Sequence, residues 1–159
     1  MDKIVTEHEG PLLRFATGLL RDHSLAQDAV QEAFVSLARQ QDPLVGEHLR
    51  NWLFMTTRNK AFDILRNEKR RLWLHNKAAA EAEIDAEVAG EDGDAEKLRM
   101  IEAALPKLNP ARREVLLLRL QQGLPHEQIA IITGHSPGHC RKLLHEAVEQ
   151  LKRLVQTEQ

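Results

Sequence analysis

Residues 58 to 71 read RNKAFDILRNEKRR. At about 100° per residue, Asn59, Asp63, Arg66 and Arg70 fall at nearly one azimuth of a helix, while Ala61, Ile64 and Leu65 fall opposite, with Phe54 and Leu72. One face is built to bury. The other presents an amide, a carboxylate and guanidinium groups in a row. Amide and carboxylate groups can hydrogen-bond exposed base edges, and Lys or Arg can hold a phosphate backbone. The same spacing also suits a solvated face with a one-turn salt bridge from Asp63 to Arg66. A second set of chemistry-bearing side chains lies near the other end: His139, Arg141, Lys142 and His145, with Glu146 and Glu149 further along.

The overall charge hides this pattern. The 159 residues sum to −2, yet the charges are unevenly placed. Residues 1–77 carry 12 Lys/Arg and 10 Asp/Glu, residues 78–96 carry none and 8, and residues 97–159 carry 10 and 6. Two mildly basic segments flanking an acidic one suggest a polyanion partner for the ends and a different role for the middle. One cysteine, Cys140, excludes an internal disulfide and fits a reducing, cytoplasmic compartment. MDKIVTEHEG lacks the apolar core of a signal peptide, and no apolar run approaches the ~20 residues that span a bilayer, so membrane insertion is not expected.

Apolar spacing is helical nearly throughout, which predicts an all-α chain. A first helix is expected over about 4–21, beginning or bending at Pro11. Ser24 is the expected cap of a second helix over about 25–40 that buries Ala29, Val30, Ala33, Phe34 and Leu37. QDPLVGEH, 41–48, reads as a loop, and a long third helix over about 48–75 carries the opening stretch. AAAEAEIDAEVAGEDGDAE, 78–96, reads as an acidic flexible linker between two helical domains, 1–77 and 97–159. The second domain is expected to hold helices over about 95–105, 110–121, 126–133 and 137–155. Asn109-Pro110 and Ser136-Pro137 act as starts, and Gly123 and Gly134 as stops. A short helix, a glycine turn and a longer polar-faced helix form the helix-turn-helix pattern, whose second helix enters the DNA major groove.

Three stretches in this order resemble the group IV (extracytoplasmic-function, ECF) sigma factors of bacterial RNA polymerase. They are DAVQEAFVSL at 28–37, LRNWLFMTTRNKAFDILRNEKRR at 49–71 and LPKLNPARREVLLLRLQQGLPHEQIAIITGHSPG at 105–138. The resemblance implies a sigma region 2 followed by a helix-turn-helix sigma region 4. Its partners would be core RNA polymerase, promoter DNA and, in some cases, a cognate anti-sigma factor. Carried over position by position, it implies minus-10 DNA contacts from Arg58, Asn59, Asp63, Arg66, Lys69 and Arg70. It implies minus-35 contacts from Ser136, His139, Arg141, Lys142 and His145. It implies polymerase contacts from Asp28, Gln31, Glu32, Phe34 and Leu37. The loop 41–48 is where the family would capture an unstacked base, and the acidic linker would thread the polymerase cleft. Trp52 is expected to pack in the core rather than stack on a base, and the same question attaches to Trp73.

The recognition helix departs from the family pattern. GHCRKLLHEA, 138–147, keeps Gly138, Leu144, His145 and Ala147, but His139, Cys140 and Leu143 replace the usual Thr, Val and Arg, and Glu146 replaces a basic residue. His135 stands where an apolar residue is usual. An anion in place of a cation weakens phosphate contact, so Glu146→Arg is expected to raise DNA affinity. His135, His139 and Cys140 lack an evident third or fourth zinc ligand, and no metal or cofactor is expected. No glycine-rich phosphate loop, HExxH or nucleophile elbow is present, and the expectation is a non-enzyme. The alternative is a sigma-like decoy that binds an anti-sigma protein without promoter activity. A lone helix-turn-helix repressor would not need residues 1–77.

Overall fold

A computed structural model describes residues 1–74, 99 and 102–157. Helices dominate, and no strand occurs among the described residues. The chain divides into two compact units. The acidic stretch 78–96 lies outside the described residues. The helix expected over about 95–105 is described only at residue 99 and from 102 to 104, where it is helical.

The N-terminal unit packs three helices. Helix α1, Asp2–Leu20, starts at the chain end and runs through Pro11 rather than beginning there. Leu12, Phe15, Ala16 and Leu19 recur at helical spacing and are buried. The helix stops at Arg21, whose backbone turns left-handed (φ 57°) and donates its N–H to the Thr17 carbonyl at 2.7 Å. Helix α2, His23–Ala38, begins at once. Its cap is Asp22, not Ser24: the Asp22 carboxylate accepts the Leu25 N–H at 3.0 Å. Arg21 delivers the chain in an extended conformation at Asp22, which is the geometry a cap requires, whereas Ser24 already lies inside the first turn. Small residues (Ala26, Ala29, Ala33) and Val30 line the buried face of α2. Phe34 and Leu37, expected in the core, are only half-buried, because Ala26, Ala29, Val30 and Ala33 already fill the inward stripe.

Helix α3, Gly46–Leu74, buries Leu49, Leu53, Phe54, Thr57 and Ala61. The Phe54 ring meets Phe15 of α1 edge-on, with centroids 5.5 Å apart. Ala61 is the last buried residue of this helix, and none of the described residues 62–74 is buried. Ile64, Leu65 and Leu72, expected to bury, are half-exposed. At 1.5 Å per residue, roughly 20 Å of helix therefore runs beyond the core of its own unit.

The C-terminal part of the chain forms a 3₁₀ turn (Leu105–Lys107), α4 (Pro110–Leu116), α5 (His126–Thr133) and α6 (Pro137–Thr157). The Asn109 side chain caps α4 by accepting the Arg112 N–H at 2.8 Å, with Pro110 first in the helix. Helix α4 widens at its end. Over Leu117–Gln121 the Gln122 N–H reaches five residues back to Leu117, and Leu124 closes on Leu118. Arg113 is buried, and its guanidinium donates to the carbonyls of Leu105, Pro106 and Leu108. It thereby fixes the turn ahead of α4. Gly134, at φ 81°, makes the turn between α5 and α6 in a conformation that favours glycine. The Ser136 hydroxyl then accepts the His139 N–H at 3.1 Å and caps α6, as its sequence predicts. Cys140, Leu143, Ala147 and Leu151 form the inward stripe of α6.

Candidate nucleic-acid interface

The exposed half of α3 holds the first constellation. Asn59, Asp63, Arg66, Lys69 and Arg70 are all solvent-exposed. Asp63 and Arg66 form a one-turn ion pair on the outer face. Arg58 is half-buried. Its guanidinium lies 4.4 Å from the centre of the Phe62 ring and donates to the Asn59 side-chain oxygen Oδ1 at 3.1 Å. Arg58 therefore orients Asn59 and leaves the Asn59 amide donors facing outward. The stripe from Asn59 to Arg70 covers about 16 Å along the helix, enough for several nucleotides. Trp52 is half-buried, whereas Trp73 is 80% exposed.

The second constellation lies on α2. Asp28, Gln31 and Glu32 are exposed, beside half-buried Phe34 and Leu37. A groove of ≈ 460 Å³ opens between α1 and α2, lined by Val5, Leu13, Val30, Gln31, Phe34 and Val35 among others. Val35, missed by the sequence reading, is 45% exposed beside Phe34. An apolar floor with a polar rim has the composition of a protein interface. The local signal was present: Val35 and Phe34 are adjacent apolar residues that cannot both face one helical core stripe.

The third constellation is the outer face of α6. Ser136, His139, Arg141, Lys142 and His145 are exposed. Two of the departures noted in the sequence, Cys140 and Leu143, turn inward and are buried, so they are core substitutions and not lost contacts. Glu146 turns toward α4. It accepts from Arg112 at 2.6 Å, while Arg112 also donates to Gln150 at 2.8 Å. The Arg112 hydrogen bond is the main cause that holds the Glu146 carboxyl below its ordinary value of 4.5, with the nearby charges of Arg112, Lys142 and His139 adding to it. The sequence reading missed this pairing because the partners are 34 residues apart. His135 is half-buried. Its Nε2 lies 3.6 Å from the Glu114 carboxylate, and its ring meets His139 edge-on at 4.8 Å. Among the described residues no group of three His, Cys, Asp or Glu is placed to hold a metal ion. Among those residues, too, no helix is long and apolar enough to cross a membrane.

The family model for Sigma-70 region 2 matches residues 4–71, and that for Sigma-70, region 4 matches residues 98–151. The chain is 29% identical to the RNA polymerase sigma factor CarQ of Myxococcus xanthus, over 97% of this chain and 88% of that protein. It is 32% identical to the probable ECF RNA polymerase sigma factor SigI of Mycobacterium tuberculosis, over 88% of this chain but only 50% of that longer relative. The co-crystal structure of the sigma factor RpoE with the anti-sigma factor NepR from Bartonella quintana contains a chain of the same fold. The TM-score is 0.80 at 23% identity, covering 99% of this chain and 98% of that one. The two matched regions, in order and together spanning most of the sequence, place the protein in the ECF group of sigma-70 factors.

Proposed function

We propose that this chain binds core RNA polymerase in the cytoplasm, recognises and melts promoter DNA, and directs initiation at a specific set of genes. The observation that carries this reading is the outer half of α3. There a continuous polar stripe lies on a helix that has already left its own core. Asn59, Asp63 and Arg66 read the minus-10 element, Lys69 and Arg70 hold its phosphates, and Arg58 orients Asn59. Asp28, Gln31 and Glu32, with Phe34 and Leu37, dock on the polymerase. Ser136, His139, Arg141, Lys142 and His145 meet the minus-35 element from the N-terminal half of α6. Residues 1–77 and 97–159 divide the labour, and 78–96 connects them. The chemistry of transcription stays with the polymerase. The solved relative bound to an anti-sigma factor supports a protein of that class as a further partner.

Run-off transcription with purified chain, core polymerase and a pool of genomic promoters tests the proposal. Discrete transcripts dependent on the chain are expected. They should vanish when Asn59 and Arg66 are changed to Ala while core binding survives. Core binding without transcripts would favour a decoy, and no core binding would overturn the proposal.

A further inference from the structure

The outward azimuth of α3 does not stop at Arg70. Three residues on, Trp73 falls within roughly 60° of Arg70 around the helix, in line with Asn59, Asp63 and Arg66. It is 80% exposed, with Leu74 beside it at 68%. No buried residue follows Ala61 on this helix among the described residues, so Trp73 has no local core to join. An indole held in water needs another account.

The surroundings favour one class of occupant. Arg66, Lys69, Arg70 and Arg71 are all exposed on this end of α3; Arg66 pairs with Asp63, and Glu68 lies 3.6 Å from Arg71. An apolar protein surface seated on Trp73 would have to desolvate these cations. A nucleic acid pairs with them and offers a flat base to the ring at the same time. Trp73 also lies about 4.5 Å along the axis from Arg70, close to the ~3.4 Å spacing of stacked nucleotides.

We propose that Trp73 extends the promoter-reading stripe by stacking on a base of the strand that the stripe holds, about one nucleotide beyond the phosphate bound by Arg70. This rests on the reading of α3 as the promoter interface. The indole then caps the end of the melted segment and holds it open. A ring has no base preference of its own, so Trp73 adds affinity without adding sequence readout.

The test uses holoenzyme assembled from core polymerase and the full chain. Promoter fragments carry 5-iododeoxyuridine at successive positions through the minus-10 segment and its flanks. Irradiation is expected to crosslink one position, or two neighbours, to the peptide carrying Trp73. Trp73→Ala should remove the crosslink and lower promoter occupancy about tenfold, the effect of losing one base–aromatic stack. Trp73→Phe should restore most of the occupancy. Full occupancy of Trp73→Ala and no crosslink, while Asn59→Ala and Arg66→Ala still abolish transcription, would overturn this proposal and leave the stripe standing. Silent Asn59 and Arg66 variants would overturn the reading of α3 itself. Loss of core binding in Trp73→Ala would make the residue a polymerase contact and equally overturn the proposal.

Discussion

Arg112 of α4 and Glu146 of α6 are joined by a 2.6 Å charge-assisted hydrogen bond, with both side chains about 30% exposed. The bond ties the middle turn of α6 to α4. Charge reversal at 146 would therefore set two cations against each other. We expect Glu146→Arg to lower the melting temperature of the C-terminal unit and to give no gain in promoter-DNA affinity, the reverse of what the sequence alone suggests. Calorimetry and a binding isotherm at low salt decide it.

The same pair sets an acid limb. The folded Glu146 carboxyl titrates below 4.5, so the unfolded chain takes up its proton first as the pH falls. The contribution of the pair is complete above about pH 4.5 and drains away below it, toward the lowered folded value. In Glu146→Gln the melting temperature should fall less steeply with acid over that window than in the wild type. Equal slopes would show that the pair adds nothing in solution.

Asp63 and Arg66 sit on the outer face with side chains 55% and 67% exposed. An exposed pair of this kind contributes about 0.2–1 kcal/mol. Asp63→Ala should hardly change thermal stability, yet it should alter promoter selectivity, since it removes an acceptor and releases Arg66. A stability loss well above that range, with selectivity intact, would assign the pair to folding.

Arg113 differs in kind. Its buried guanidinium serves three carbonyls at once, and Arg113→Met would remove that donor from the Pro106 and Leu108 carbonyls and leave Leu105 with the Leu108 N–H. The expected cost is about 3 kcal/mol, read by chemical denaturation. Arg113→Lys should not rescue it, because an ammonium cannot reproduce the planar fork.

Arg141 and Lys142 are exposed on α6 without a role in its core. If each binds one phosphate, replacing either by Ala should reduce the slope of log affinity against log salt by about 0.9. An unchanged slope would remove that side chain from the interface.

Local signals were legible in the sequence, and distant pairings were not. Asn109-Pro110, Ser136-Pro137, Gly123 and Gly134 mark helix ends through chemistry that acts within four residues, and each does so in the structure. The exposed azimuth of Asn59, Asp63, Arg66 and Arg70 also follows from helical periodicity alone. Ser24 lost to Asp22 because two good capping residues stood two apart, and the left-handed turn at Arg21 chose between them. Phe34 and Leu37 were placed too deep, since hydrophobicity does not tell which of several apolar residues the alanine-lined face of α2 will admit. Arg112 and Glu146 gave no local sign at all, because only tertiary packing brings them together.

Cys140 is the one cysteine of the chain and is completely shielded on the inner face of α6. A thiol reagent can reach it only when that helix lifts away. Its rate of modification, divided by that of the unfolded chain, is then a direct reading of how often the C-terminal unit opens. The molecule thus carries its own clock, needing no added label. Arg113→Met should make it run faster, and Asp63→Ala should leave it unchanged.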